Sequence, residues 1–256
     1  MLIAALAILG TIDQKRVHLI DSYPRDVPRN FLFRGNNPTN KTENGYTFDY
    51  GGLVASLRKS AETECGVELP GYFRVVDVDL ENLSDPGYVA ELEFWKQHPS
   101  LGEVLHWTTL GTLLDVKKTP FKTEFIQNGS WAIQGDADRL IERLSQLHSM
   151  LANVSSVPTV FYVHCNAGCD RTGEFMGAYT MRYLGYNVTT ALGEAQRQCG
   201  RAPNFFATES VGWWCLTLKE RFGRTDVGDC LNAFGCHYFG DCDLHGATPL
   251  ANPCPK

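Results

Sequence analysis

No part of this 256-residue chain carries a run of positive charge, and its net charge is −6. That excludes the basic footprint by which a protein holds nucleic acid or an anionic membrane surface. Long hydrophobic runs are missing as well: the apolar stretch Leu2-Ile3-Ala4-Ala5-Leu6-Ala7-Ile8-Leu9 is too short to cross a bilayer, so no stable membrane span is expected. There is no internal repeat and no low-complexity segment. Cys-x2-Cys knuckles are also lacking, which weakens any structural-zinc reading of the cysteines.

What is present suits one domain with a full core, since 43% of the side chains are hydrophobic. Apolar periodicity alternates between two and three to four. It predicts strands near Phe31–Arg34, Tyr72–Val78, Glu103–Thr108 and Thr159–Val163, and helices over about 51–62, 88–97, 138–151, 172–184, 189–199 and 206–222. Such alternation implies an α/β layered domain with a central, mostly parallel sheet flanked by helices. Ligands of such sheets bind outside the strand C termini. Composition marks a signal-like apolar segment at 1–12 and a Cys-rich irregular tail at 223–256.

One run concentrates the chemistry: Val163-His164-Cys165-Asn166-Ala167-Gly168-Cys169-Asp170-Arg171-Thr172-Gly173. The β-branched and aromatic residues before it suit a buried strand, and Phe175, Met176, Tyr179 and Tyr183 after it recur at helical spacing. The turn between them therefore feeds the first turn of a helix, whose free N–H groups and dipole favour an anion. A thiol in that setting beside a guanidinium is favoured as the thiolate, the form that attacks, so Cys165 is the candidate nucleophile. Arg171 offers a planar fork to two phosphate oxygens and to the charge that spreads across them in the transition state. Gly168 and Gly173 let the backbone curl close to the anion. Asn166, Ala167 and Cys169 complete the cradle, Thr172 can donate its hydroxyl to the departing sulfur, and His164 orients the loop rather than moving protons.

His-Cys-x-x-Gly-x-x-Arg-Thr-Gly resembles the signature of cysteine-dependent protein tyrosine and dual-specificity phosphatases. Rhodanese-like proteins also set a cysteine in an anion-binding loop, but the Gly-x-x-Arg-Thr-Gly continuation fits them poorly. The resemblance extends over residues 28–222. Ala191–Arg197 and Arg201-Ala202-Pro203-Asn204-Phe205-Phe206 look like the helix and the Arg-Pro-x-x-Asn segment that follow the signature. Asn30–Pro38 looks like the strand that opens small members. The resemblance implies hydrolysis of phosphomonoesters through a phosphocysteine, without metal or organic cofactor. It also implies a general acid, normally an aspartate about thirty residues before the cysteine on a Trp-Pro-Asp loop. Here that window reads Gly129–Asp138, and Ile133 stands where the aspartate would be. Asp136 is the better acid candidate there, because Asp138 lies closer to a helix whose apolar face is Leu140, Leu144, Leu147 and Leu151; both can instead cap that helix. Asp170, inside the cradle, is similar to the loop aspartate proposed as the acid in myotubularin-like and other inositide phosphatases. It can also be a residue that braces the loop.

Substrate class stays open between phosphorylated protein and phosphoinositide. The cradle's variable positions carry no lysine, which favours a singly phosphorylated group such as phosphotyrosine. The Asp170 resemblance favours the inositide. A non-catalytic phosphate-binding relative and a disulfide-rich extracellular interaction protein are the rivals from other classes.

Compartment is the second question the sequence addresses. The 1–12 segment suits a signal-peptide core but lacks a charged n-region, and a buried first strand or helix is the lesser alternative. Five glycosylation sequons, at Asn40, Asn82, Asn128, Asn153 and Asn187, point to the secretory pathway. Nine cysteines less the nucleophile leave eight, four of them (Cys230, Cys236, Cys242, Cys254) in the tail. The even number predicts a disulfide-stapled tail, with pairs to the core through Cys199 or Cys215. Zinc on these cysteines with His237 and His245 is the lesser alternative. Cys169 reads as an inert loop residue, a disulfide partner, or a redox partner for Cys165. Secreted or lumenal is the expected home, cytoplasmic the alternative.

Overall fold

The computed structural model describes residues 12–27, 29–120, 122–128, 139–237, 240–251 and 254. After a 3-10 turn at Gln14–Arg16 come β1 (His18–Tyr23), β2 (Asn30–Asn36), the hairpin β3 (Thr39–Thr42) and β4 (Gly45–Phe48), and α1 (Tyr50–Cys65). Next are β5 (Arg74–Asp79), α2 (Tyr88–Gln97), β6 (Gly102–His106), α3 (Lys122–Asn128), α4 (Leu140–Ala152) and β7 (Thr159–Cys165). Helices α5 (Asp170–Tyr183), α6 (Val188–Cys199) and α7 (Phe205–Arg221) follow, and the chain closes on β8 (Phe234–Cys236) and β9 (Cys242–Leu244).

The main sheet runs β1-β2-β7-β5-β6. β1 is antiparallel to β2 and all other neighbours are parallel, so the expected layered α/β fold is present. β1 lies ahead of residue 28, where the resemblance begins. β7 is the central strand, and its side chains divide by parity between two cores. Phe161, Val163 and Cys165 join the core built with α4, α5 and α7. Val160 and Tyr162 join the core under α1 and α2. His164 shares the second face, as do Asp77 and Asp79 of β5. Burial on both faces explains why the strand reads as a continuous apolar run.

Helix ends obey their local chemistry. Asp49, Asn187 and Asn204 accept backbone N–H groups of Gly52, Thr190 and Ala207 at 2.8, 2.8 and 3.1 Å, capping α1, α6 and α7. Each such cap contributes about 1 kcal/mol. α7 is buried along most of its length, with Trp213 and Trp214 inaccessible to solvent, so it is the spine of the larger core.

All eight cysteines other than Cys165 are paired. Cys215–Cys230 staples the tail to α7, Cys65–Cys254 ties the chain's end to α1, and Cys236–Cys242 closes the β8–β9 ladder across the register. The tail is thus cross-linked as expected, and its cysteines are not available as zinc ligands. Cys199 bonds Cys169 rather than the tail. Among the described residues no helix is long and apolar enough to cross a membrane. The 1–12 segment, apart from Ile12, lies outside the described residues.

Candidate active site

Strand β7 ends on Cys165 and helix α5 begins on Asp170, so the four residues between them form the loop. Cys165 is 2% exposed and is the free thiol of the molecule. Gly168 has φ +68°, and a Cβ there would come within 2.4 Å of the Gly35 carbonyl oxygen, so glycine is needed for the turn to pass β2. Gly173 has a different use from the one its spacing suggests. A Cβ on it would meet Pro203 at 3.3 Å and Ala195 at 3.6 Å, so it lets the start of α5 pack against α6 and the 203 turn.

Three successive loop carbonyls are tied from outside. Asn37 N–H donates to Asn166 O at 3.2 Å, Arg16 Nη1 to Ala167 O at 2.7 Å, and Arg34 Nη2 to Gly168 O. A trans peptide sets its C=O and the next N–H in opposite directions. Pinning these carbonyls outward therefore turns the N–H groups of Ala167, Gly168 and Cys169 toward the inside of the loop. Gly168 N–H is partly engaged by Cys165 O at 3.3 Å. Arg34 is wholly buried in β2, and its Nη1 also donates to Gln198 Oε1 at 2.8 Å. Burial lowers its pKa to about 10, with Cys165 pulling the other way, so it is charged at neutral pH. A second tie is covalent: the Cys169–Cys199 disulfide bolts the loop to α6.

Arg171 lies in the first turn of α5 and is largely buried. Its Nη1 donates to Asp85 Oδ2 at 2.5 Å and lies 3.3 Å from Leu80 O. Burial opposes its charge, but Cys165 and Asp85 together raise the guanidinium above its ordinary value. Asp85, in the β5–α2 connection, is a neighbour that sequence reasoning missed. Thr172 is fully buried, and among the described residues its hydroxyl has no hydrogen-bond partner.

Asp170 faces away from solitary use. Arg201 clamps both its oxygens, at 2.8 and 2.7 Å, and Asn204 N–H donates to Oδ1 at 2.8 Å. Such a fork-to-carboxylate pair with a third donor fastens α5 to the turn before α7. Asp136 and Asp138 lie outside the described residues.

His164 is buried, with Nε2 2.9 Å from Asp77 Oδ1 and 3.5 Å from Glu91 Oε1. Burial alone would neutralise the ring, yet Asp77 and Glu91 hold its pKa well above the usual value. The backbone of the same residue accepts Leu80 N–H at 2.9 Å, which joins the cysteine strand to the connection that carries Asp85.

No family model and no curated protein matches the sequence. Among solved structures, the chain is similar to the core catalytic domain of the PP-IP phosphatase SIW14 from S. cerevisiae, at 14% identity, covering 75% of this chain and 83% of that one, with TM-score 0.37. It is similar to PTPMT1 in complex with PI(5)P at 12% identity, covering 74% and 94%, with TM-score 0.33. It is also similar to the Yvh1 phosphatase domain from Chaetomium thermophilum at 13% identity, covering 77% and 96%, with TM-score 0.30. These neighbours are phosphatases of the protein tyrosine phosphatase superfamily. Arg34, Arg16 and Asp85 carry no motif of their own; Arg34 alone had a signal, standing in the segment that resembles the opening strand of small phosphatases.

Proposed function

We propose that this chain is a cysteine-dependent phosphomonoester phosphatase acting on singly phosphorylated groups, phosphotyrosine-bearing protein foremost. The observation that carries this reading is the free Cys165 at the start of a loop whose carbonyls are fastened outward, with Arg171 in the first turn of the helix that follows. Cys165 Sγ attacks phosphorus, and the bond from phosphorus to the substrate oxygen breaks as that oxygen takes a proton from the general acid. Water then attacks the phosphocysteine, the P–S bond breaks, and inorganic phosphate leaves. Arg171 and the inward amides hold the charge of both transition states. Thr172 donates to the sulfur as it departs. Asp136 is the preferred acid, because the Asp170 carboxylate is committed to Arg201 and Asn204.

Substrate class follows from charge at the mouth. Arg16 lies 3.2 Å from Asp13 and Arg201 is clamped on Asp170, so both guanidiniums beside the loop are already offset by carboxylates. A headgroup with several phosphates gains little there. A phosphoinositide remains the second reading, on the resemblance of Gly168-Cys169-Asp170-Arg171 to inositide phosphatase loops. We further infer a secreted or lumenal home. The support is the pairing of every other cysteine, which requires an oxidising compartment, together with the five sequons. The test is phosphate release from para-nitrophenyl phosphate, a phosphotyrosine peptide and a phosphoinositide by wild type beside Cys165→Ser. Turnover of the first two that disappears with the sulfur supports the reading. Equal rates in both proteins refute the nucleophile, and silence from both supports a phosphate-binding protein without turnover.

A further inference from the structure

Behind the catalytic loop, on the opposite face of β7, four carboxyl groups and one imidazole are buried together. Asp77 and Asp79 project from β5, Glu81 from the connection after it, Glu91 from α2 and His164 from β7, and each residue is 0% exposed. Protein donors satisfy only part of this set. Trp95 Nε1 donates to Asp77 Oδ2 at 2.8 Å, Glu81 N–H to Asp79 Oδ1 at 2.7 Å, and Asn37 Nδ2 to Glu81 Oε1 at 2.8 Å. Half-buried His106 reaches Asp79 Oδ2 only at 3.8 Å. Among the described residues, no aligned hydrogen bond reaches either oxygen of Glu91, Asp77 Oδ1 or either ring nitrogen of His164. Carboxylates withdrawn from water cost several kcal/mol each unless compensated. Among the described residues, one imidazole and the three donors just named leave this set incompletely satisfied.

The spacing of the unpartnered atoms is informative. His164 Nε2 and Asp77 Oδ1 approach to 2.9 Å and yet make no aligned hydrogen bond. His164 Nε2 and Glu91 Oε1 stand 3.5 Å apart, and the three ligand atoms lie within 4.8 Å of one another. Ligands bound at about 2.0–2.1 Å in a tetrahedron are separated by roughly 3.3 Å, with the lone pairs aimed at a common centre rather than at each other. We propose that Asp77, Glu91 and His164 form a binding site for a divalent transition-metal ion of the zinc class, with Asp79 and Glu81 supplying further negative charge beside it. The nitrogen and carboxylate donors suit zinc, and the absence of thiolate separates the site from any zinc on cysteine. The ion's role is structural. It fixes the C-terminal end of β7, one residue before Cys165, against β5 and α2.

This inference does not depend on the phosphatase reading, and its first readout is metal content. The full chain, produced in zinc-supplemented medium, is freed of loose metal by gel filtration and analysed by atomic emission, beside Glu91→Gln and Cys165→Ser. About one zinc per chain is expected in wild type and in Cys165→Ser, and at least about tenfold less in Glu91→Gln. Should Glu91→Gln fail to fold, production with cobalt decides. Visible absorption of a tetrahedral ion, without the intense near-ultraviolet band of a thiolate ligand and unchanged in Cys165→Ser, supports the site. No metal retained, metal lost with Cys165, or a thiolate band overturns it.

Discussion

Replacing both Cys169 and Cys199 with serine cuts the covalent tie between the catalytic loop and α6 and leaves no stray thiol beside Cys165. The two half-cystines are 30 residues apart in sequence. Closing a loop of that length removes denatured-state entropy corresponding to about 3.6 kcal/mol of stability at 25 °C. For a chain of this size that is a fall in Tm of about 7 °C. Activity should respond less than stability. The outward clamps from Asn37, Arg16 and Arg34 do not involve the disulfide, so the loop keeps its carbonyls pinned and its amides inward. kcat/KM is expected to fall by no more than about tenfold, equivalent to about 1.4 kcal/mol. Urea unfolding followed by fluorescence reads the first effect, with an unchanged slope and a lower midpoint expected. Phosphate release reads the second. An unmoved midpoint would refute the bond as a stabilising element. Complete loss of oxyanion binding in a folded double variant would refute the claim that the polar clamps shape the cradle.

Asp85→Asn removes a carboxylate that competes with the substrate for Arg171. The pair is only 20% exposed on each side, so inorganic phosphate should inhibit up to about fivefold more tightly; weaker inhibition would contradict the competition. Glu209 is buried, accepts Val116 N–H at 2.7 Å, and is pushed up to about 7 by burial. Its folded-state pKa lies above the unfolded value, so its contribution is complete below about pH 4.5 and is lost as pH rises through 7. Glu209→Gln should flatten that decline by up to roughly 3 kcal/mol in denaturant titrations at pH 5 and pH 8. An unchanged slope would refute the assignment.

Much of this arrangement is legible in the sequence because its strongest signals are local. The strand, the glycine-bearing turn and the helix around Cys165 sit within about twenty-five residues, and each segment's periodicity agrees with its structure. β1 escaped because His18, Asp21 and Ser22 are buried polar residues that break the expected alternation. Asp85 escaped for another reason: Asn82-Leu83-Ser84-Asp85-Pro86-Gly87 reads as a turn, and its partner Arg171 is 86 residues away. Arg16 is hidden in the same way, reaching Ala167 across 151 residues. Val75-Val76-Asp77-Val78-Asp79 reads as a strand with one wet face, whereas α2 covers that face and buries the acids. No periodicity distinguishes a wet acidic face from a covered one.

The central claim is that Cys165 carries the phosphoryl group between the two half-reactions. The direct measurement is acid quenching during turnover of a phosphotyrosine peptide, followed by proteolysis and mass spectrometry of the peptide containing Cys165. One phosphoryl group on that cysteine, absent from the Cys165→Ser protein and discharged by dilution before quenching, is the predicted result. Turnover with the Cys165 peptide unmodified, and with Cys165→Ser equally active, would contradict the account.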